Sequence, residues 1–280
     1  MNTLIVILTL AGGRPCELES IQSVRFKDGS VVDGTVARTD DTLTVVTRGG
    51  LRLEAPSARV ESVTEVNACV GADGTVRHDD PNRTRYLYAP SSLMLRKGET
   101  QFAQRQLLFS TLAVGVTDHV SLQFGSVIPA LFVEEGVNFI GGIKVGTSLS
   151  DRLHIATGVQ SLFIPGANIA AGFGFGSLTF GDSFANATVS AGVPFAIGGD
   201  GSEVSDVIVV LSGQTRVGES FALVSENWLL PSVDDDFFSI HGLAGRIVGR
   251  RWSTDIGFVV GRGLGAPIPW LGVTYNFSKG

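Results

Sequence analysis

Four histidines, a run of three aspartates and a glycine-spaced stretch are where this chain could do chemistry. The histidines are His78, His119, His154 and His241. A hydrolase needs a serine hydroxyl beside an imidazole, with a third group to orient the ring, and no Ser–His–acid set stands out along the sequence. His119 follows Asp118 in a tight-turn stretch and reads as solvated. His154 shares a parity with Gln160 and reads as part of an interior hydrogen-bond network. Asp234, Asp235 and Asp236 offer the carboxylates that calcium prefers, although a solvated acidic loop is the plainer reading. "GFGFGSLTFGD" has the glycine spacing of a phosphate loop but lacks its Lys-Ser/Thr and a following helix. Its glycines Gly172, Gly174 and Gly176 share one parity, which we read as a bare inward face. The two cysteines, Cys16 and Cys69, read in an exported protein as one disulfide bracketing the small N-terminal region, with a pair of free buried thiols a close second reading. The expectation is a protein with no catalytic residues, no cofactor and no metal.

The remaining chemistry is a set of polar side chains at mid-strand. In "RLHIATGVQSLF", Leu153, Ile155, Thr157, Val159 and Phe163 oppose His154, Gly158 and Gln160. "VNFIGGIKVGT", "FANATVSAGVPF" and "RWSTDIGFVV" alternate in the same way, with Lys144 and Asp255 on the polar parity. A period of two means strands with one apolar and one polar face. "SFALVSENWLLP" and "FFSIHGLAGRIV" leave their parity open. A packed sandwich disfavours so many mid-strand charges, whereas a barrel with lipid outside and a polar lumen accepts them. Arg105, Lys144, His154, Gln160, Arg216, Glu226, Arg246 and Asp255 are the candidate lumen-lining residues. Paired across the interior they would seal it; lining an opening they would set ion preference.

The elements that must position these residues follow from composition and punctuation. The 280 residues are 44% hydrophobic and only 17% charged, with 36 glycines, against about 25% charged in an average soluble chain. No apolar run approaches the roughly 18 residues of a membrane helix. The net charge of −6 disfavours a nucleic-acid partner. From Tyr86 onward, tight turns (Thr117-Asp118-His119, Ser150-Asp151-Arg152, Gly181-Asp182-Ser183, Gly218-Glu219-Ser220, Gly249-Arg250-Arg251) alternate with looser joints such as "IPALFVEEG", "IPGAN" and "LPSVDDD". That rhythm is expected of a transmembrane barrel with short turns at one end and longer loops at the other. Counting from "RYLYAPSSLML" gives about twelve strands. Trp252, Trp270 and Tyr275 are candidates for an interfacial aromatic belt.

The first part of the chain differs. Residues 1–13 read as an export signal segment that lacks a basic start. Residues 17–70 hold short β-branched runs broken by Asp28-Gly29, Asp33-Gly34 and Gly49-Gly50, as expected of a small SH3/Sm-like β-domain. Residues 71–84 read as a linker and 85–280 as the barrel.

"DPNRTRYLYAPSS", "KGE", "GVTD", "KVG", "SENWLLP" and "GRRWSTDIGF", in that order, resemble an uncharacterised family of bacterial outer-membrane β-barrel-like envelope proteins, over about residues 80–277. "WLGVTYNF" looks like the terminal assembly signal of such barrels, with Gly272, Tyr275 and Phe277 at the expected spacing. The resemblance implies location and architecture and supplies neither a substrate nor catalytic residues.

The sequence therefore leads to an all-β chain: an antiparallel up-and-down transmembrane β-barrel of about twelve strands preceded by a small SH3-like β-domain. The expected site is the bacterial outer membrane, with the N-terminal module in the periplasm. Expected partners are outer-membrane lipid and lipopolysaccharide, the barrel assembly machinery and a periplasmic protein. Function is read as a narrow passive channel or a membrane anchor for the module. A scaffold that recruits an envelope partner, or a soluble all-β protein, are the alternatives. If the terminal signal operates, deleting Phe277 lowers the yield of assembled barrel; the fraction of heat-modifiable protein in unheated gels measures this.

Overall fold

The computed structural model describes residues 17–70, 76–128, 137–198, 201–230, 238–261 and 264–277. The signal-like segment, Cys16 and Asp234–Asp236 lie outside them. The chain divides into two compact units, one ending at Asp79 and the other beginning at Asp80.

In the first unit, β1 (Glu17–Phe26), β2 (Val31–Arg38), β3 (Thr42–Val46), β4 (Arg52–Pro56), β5 (Val60–Val70) and β6 (Val76–His78) form one antiparallel sheet in the order β4-β3-β2-β1-β5-β6. A single 3-10 turn, Ser57–Arg59, precedes β5. Val24, Leu43 and Val45 are buried at its centre against Phe26, Val32, Val36 and Val60. The β1–β2 turn works as its residues suggest. Gly29 takes φ 87°, and the Asp28 carboxylate accepts from the Ser30 amide at 2.9 Å. Cys69 is buried and disulfide-bonded.

The second unit is a closed barrel. Its wall strands are β7 (Thr100–Arg105), β8 (Phe109–Thr117), β9 (Val120–Val127), β10 (Phe139–Ser150), β11 (Leu153–Ile164), β12 (Ile169–Gly181) and β13 (Ala185–Gly198). They continue with β15 (Ile208–Arg216), β16 (Phe221–Leu230), β17 (Phe238–Val248), β18 (Trp252–Gly261) and β19 (Ile268–Asn276). Each pairs antiparallel with the next, and β19 returns to β7 with Tyr275 opposite Phe102, which closes the ring. The short β14 (Gly201–Val204) pairs with the end of β13, on the same edge as β15, and extends that hairpin. The tight turns between β8 and β9, β10 and β11, β12 and β13, β15 and β16, and β17 and β18 lie where the sequence places them. At the β12–β13 turn, Gly181 has φ 117°, and a Cβ there would sit 2.1 Å from the Ala185 carbonyl oxygen.

The wall is apolar outside. Phe124, Phe139, Phe180, Val189 and Ile256 are half or more exposed, whereas Asn186, Thr188 and Ser190 on the opposite parity are buried. Water would not tolerate so large a continuous greasy surface, but lipid does. Long strands, such as the 12 residues of β10 and the 14 of β13, exceed the roughly 9–11 residues needed for a tilted crossing.

Three sequence expectations need correction. "RYLYAPSSLML" is not a wall strand; the first is β7, and twelve strands are counted without this segment. Of the expected linker, Val76–His78 form β6 and residues 80–84 are buried in the barrel unit. On β12 the glycines face out: a Cβ on Gly174 or Gly176 would meet nothing within 4 Å, while Phe175 is buried and Phe173 packs on Trp228 inside. The inward face is aromatic because the lumen there is lined by apolar protein.

Lipid outside the wall sets an expected asymmetry. Val189→Arg, facing lipid near mid-strand, costs about 2–4 kcal/mol, whereas Ala196→Arg, on the inward parity of the same strand, is tolerated. Folding yield into vesicles should fall for the first variant only; equal yields would mean that lipid does not wet this face.

Candidate functional site, a lumen closed from within

Residues 80–95 occupy the barrel interior, and residues 96–98 make an exposed turn that leads through the buried Glu99 into β7. Proline and paired turn residues in "DPNRTRYLYAPSS" oppose a regular strand, and a single bridge, Arg85 to Pro90, pinches the segment into a re-entrant loop. Its side chains and backbone bond to inward residues all round the wall. Asn82 reaches Asp255 on β18 (3.4 Å), and Gln101 on β7 donates to the Pro81 carbonyl (2.9 Å). Tyr86 Oη donates to Asn186 on β13 (2.5 Å), and Ser92 N to Thr179 Oγ1 on β12 (2.7 Å). Arg85 bonds to Gln123 on β9 and to Gln160 on β11.

The segment begins and ends beside residues at the tight-turn end and turns back near Tyr88. Asp80 meets Gln214 and Arg246, close to the ends of β15 and β17, and Gly98 donates to Gly115 on β8. Tyr88 packs edge-on against Trp270 (4.7 Å between ring centres) and Phe109, toward the other end. Trp270 is thus buried inside the barrel and is not part of an outer belt; Trp252 and Tyr275 are exposed.

The lumen candidates fall into three groups. Lys144, Gln160, Glu226, Arg246 and Asp255 hold the inserted segment. Arg246, fully buried, forks to Asp255 through Nε (2.6 Å) and Nη2 (2.9 Å), and reaches Asp80 and Gln214 through Nη1 (2.8 and 2.9 Å). One guanidinium therefore serves two buried carboxylates, one on the wall and one on the insert. Glu226 accepts from the backbone amides of Leu87 (2.9 Å), Tyr88 (3.0 Å) and Ala89 (2.8 Å), and from Trp228 Nε1 (2.7 Å). Lys144 Nζ donates to the carbonyls of Leu93 (2.8 Å), Ser91 (3.2 Å) and Thr84 (3.4 Å). The wall thus holds the insert largely by its main chain, which leaves room for side-chain change within it.

His154 and Arg216 sit at the tight-turn end with local partners. His154 bonds to Ser148 and the Gly181 carbonyl. Arg216 Nη1 donates to the Glu219 carbonyl, and its guanidinium lies 5.4 Å from the Phe184 ring centre. Arg105 donates to Thr111 (3.1 Å) and faces a cavity of about 40 Å³ between insert and wall, shared with Arg85 and Lys144. No carboxylate lines this cavity, and Ser121 Oγ and Gln123 Nε2 are buried at it with no protein partner. Three cations and two spare donors suit a water or a small anion. Of the terminal signal residues, Tyr275 and Phe277 face outward, while Gly272 faces in beside Asp255 and Trp270.

Sequence reasoning missed Asp80, Asn82, Tyr86 and the amides that Glu226 collects. The available signal was "DPN" ahead of two tyrosines, a turn-forming start with hydrogen-bonding aromatics in place of an alternating strand.

No protein-family model matches the chain, and no curated protein does. Among solved structures, a KdgM porin in complex with disordered oligogalacturonate superposes with TM-score 0.44 at 8% identity, over 64% of this chain and 98% of that one. A NanC porin gives 0.41 at 9% identity, over 64% and 97%. A loop-deleted OmpT, an outer membrane protein of Vibrio cholerae, gives 0.39 at 10% identity, over 92% and 96%. These likenesses are too distant to carry a conclusion about this chain, whose barrel rests on its own strand register.

Arg246→Leu strands Asp80 and Asp255 without their cation. Loss of one partner from a buried ion pair costs about 3–5 kcal/mol. The temperature at which the folded gel band is lost should drop accordingly, and Asp255→Asn should cost less because it leaves no bare charge.

Proposed function

We propose that this protein is an outer-membrane barrel shut by its own inserted segment. It anchors the N-terminal sheet and passes small solutes only when that segment is displaced. The observation that carries this reading is residues 80–95, bonded to the inward face on every side. An open pore would present the same polar wall to water; here Arg246, Glu226 and Lys144 spend their hydrogen bonds on the chain itself.

The apolar exterior supports lipid and lipopolysaccharide as surroundings, reached through the barrel assembly machinery. The twelve-strand count puts the start of β7 and the end of β19 at the tight-turn end, the side that faces the periplasm in such barrels. The strand order β4-β3-β2-β1-β5 with a 3-10 turn before β5 supports an SH3-like module, suited to holding a periplasmic protein partner. β6 ends at His78 and the insert begins at Asp80, so a partner that pulls on the sheet pulls on the insert through the chain.

Single-channel recording in planar bilayers tests this. The intact protein should be silent. A variant with residues 80–99 replaced by a Gly/Ser linker should conduct and prefer anions, because Arg105, Lys144, Arg216 and Arg246 then outnumber Glu226 and Asp255 on the wall. Steady conductance by the intact protein, equal to that of the variant, would refute closure from within.

A further inference from the structure

A second arrangement of polar groups lies on the outer wall, where the lumen gives no reason for it. Asn227 on β16 and His241 on β17 are directly opposite in register. Ser239 lies two residues before His241, on the same face. That face is outward: Ala244 and Arg246, on the other parity of β17, are buried in the interior, while Ile247 and Phe221, on the parity of His241 and Asn227, are exposed.

The hydrogen bonds fix the protons. Asn227 Nδ2 donates to the Leu211 carbonyl (3.1 Å) and to Ser225 Oγ (3.1 Å). The Leu211 carbonyl can only accept, so the amide nitrogen faces it and Asn227 Oδ1 faces the ring. Oδ1, 2.9 Å from His241 Nδ1, also can only accept, so Nδ1 carries the proton. His241 Nε2 then presents its lone pair to Ser239 Oγ at 3.0 Å, and the hydroxyl donates to it. A serine on a neutral imidazole whose far nitrogen is held by a side-chain oxygen is the arrangement that activates a nucleophile.

Its position selects the substrate. Ser239 and His241 are the second and fourth residues of β17 from the long-loop end. At about 3.3 Å per residue they lie within roughly 10 Å of the rim, where acyl esters meet the headgroup layer. Leu229 opposite Ser239 and Val260 opposite His241 offer apolar contact to an acyl chain.

We propose that Ser239, His241 and Asn227 form an acyl-ester hydrolase site on the lipid-facing wall, taking a fatty-acyl ester of a membrane lipid. Ser239 Oγ attacks the ester carbonyl carbon and its proton passes to His241 Nε2. The carbon–oxygen ester bond breaks, and the leaving alkoxide takes that proton, leaving an acyl-serine. Water then attacks the acyl-serine and gives one proton to His241. Ser239 recovers that proton as the fatty acid departs. Asn227 is a positioning residue that holds the tautomer. This activity is independent of the state of the lumen.

The full chain is tested in detergent micelles and in vesicles. A fluorophosphonate probe should add once, at Ser239, as read by peptide mass. Labelling should be lost in His241→Ala and kept in Ser148→Ala, whose hydroxyl sits on His154 inside the barrel. Free fatty acid should be released from phospholipid vesicles if the ester is a glycerophospholipid, or from lipopolysaccharide vesicles if it is a glycolipid. Ser239→Ala should reduce release by on the order of 10³-fold or more, with an unchanged unheated gel band. In the intact protein the rate should fall as pH drops through the imidazole range. No adduct on Ser239 together with no release from either vesicle, or release by Ser239→Ala equal to that of the intact protein, would overturn the proposal.

Discussion

One buried guanidinium ties the barrel to what fills it. Arg246 lies with no exposure between Asp255 on the neighbouring wall strand and Asp80 at the start of the insert. Removing these charges from water is costly unless each finds its partner and its remaining hydrogen bonds are met. Here they are: Gln214 and the Tyr86 carbonyl complete the guanidinium, and Asn82 bonds to both carboxylates. The constraint runs in both directions. With the insert withdrawn, the wall keeps a charged ring that only water could satisfy; with the wall charges gone, Asp80 and the Leu87, Tyr88 and Ala89 amides of the insert lose their partners.

The same demand explains why the interior is mixed rather than uniformly polar. Re-entrant backbone inside a barrel must find donors and acceptors, and Glu226 and Lys144 supply them from opposite sides. Between these anchors the insert carries its own apolar groups. Tyr86 and Leu87 pack with Val224, Ala244 and Trp270, and Ala89 packs with Ile208 and Val210. Apolar side chains therefore point inward on β12, β15 and β16, where an empty, water-filled lumen would favour polar ones. The outer wall shows the reverse exception: Ser239, His241 and Asn227 satisfy one another on a surface otherwise made for lipid. A Ser–His–acid pattern overlooks them because the orienting group is an amide on another strand.

Much of the wall was legible because period two and turn chemistry are local. Leu153 to Phe163 against His154 to Gln160, or Ala187 to Phe195 against Asn186 to Gly192, state a two-faced ribbon without any partner. Asp118-His119, Asp151-Arg152 and Arg250-Arg251 state where it reverses. The inward placement of Lys144 and Asp255 follows from parity alone, whereas the strands that carry Glu226 and Arg246 left their parity open until the barrel closed.

What local pattern could not state was the medium on each side. Residues 80–99 read as linker and strand because many of their hydrogen-bond partners lie a hundred or more positions away, at Asn186, Glu226 and Arg246. The glycine face of β12 was assigned inward for want of knowing that an apolar insert would receive Phe173 and Phe175, and Trp270 was assigned outward for the same reason. The sequence by itself determined the ribbons, their order and which parity is greasy, since those depend on neighbouring residues. Only the tertiary structure decided what fills the lumen and which serine meets which histidine. The contacts that fill the lumen exist only once twelve strands have closed around the insert, and the Ser239–His241–Asn227 set needs the β16–β17 pairing to meet.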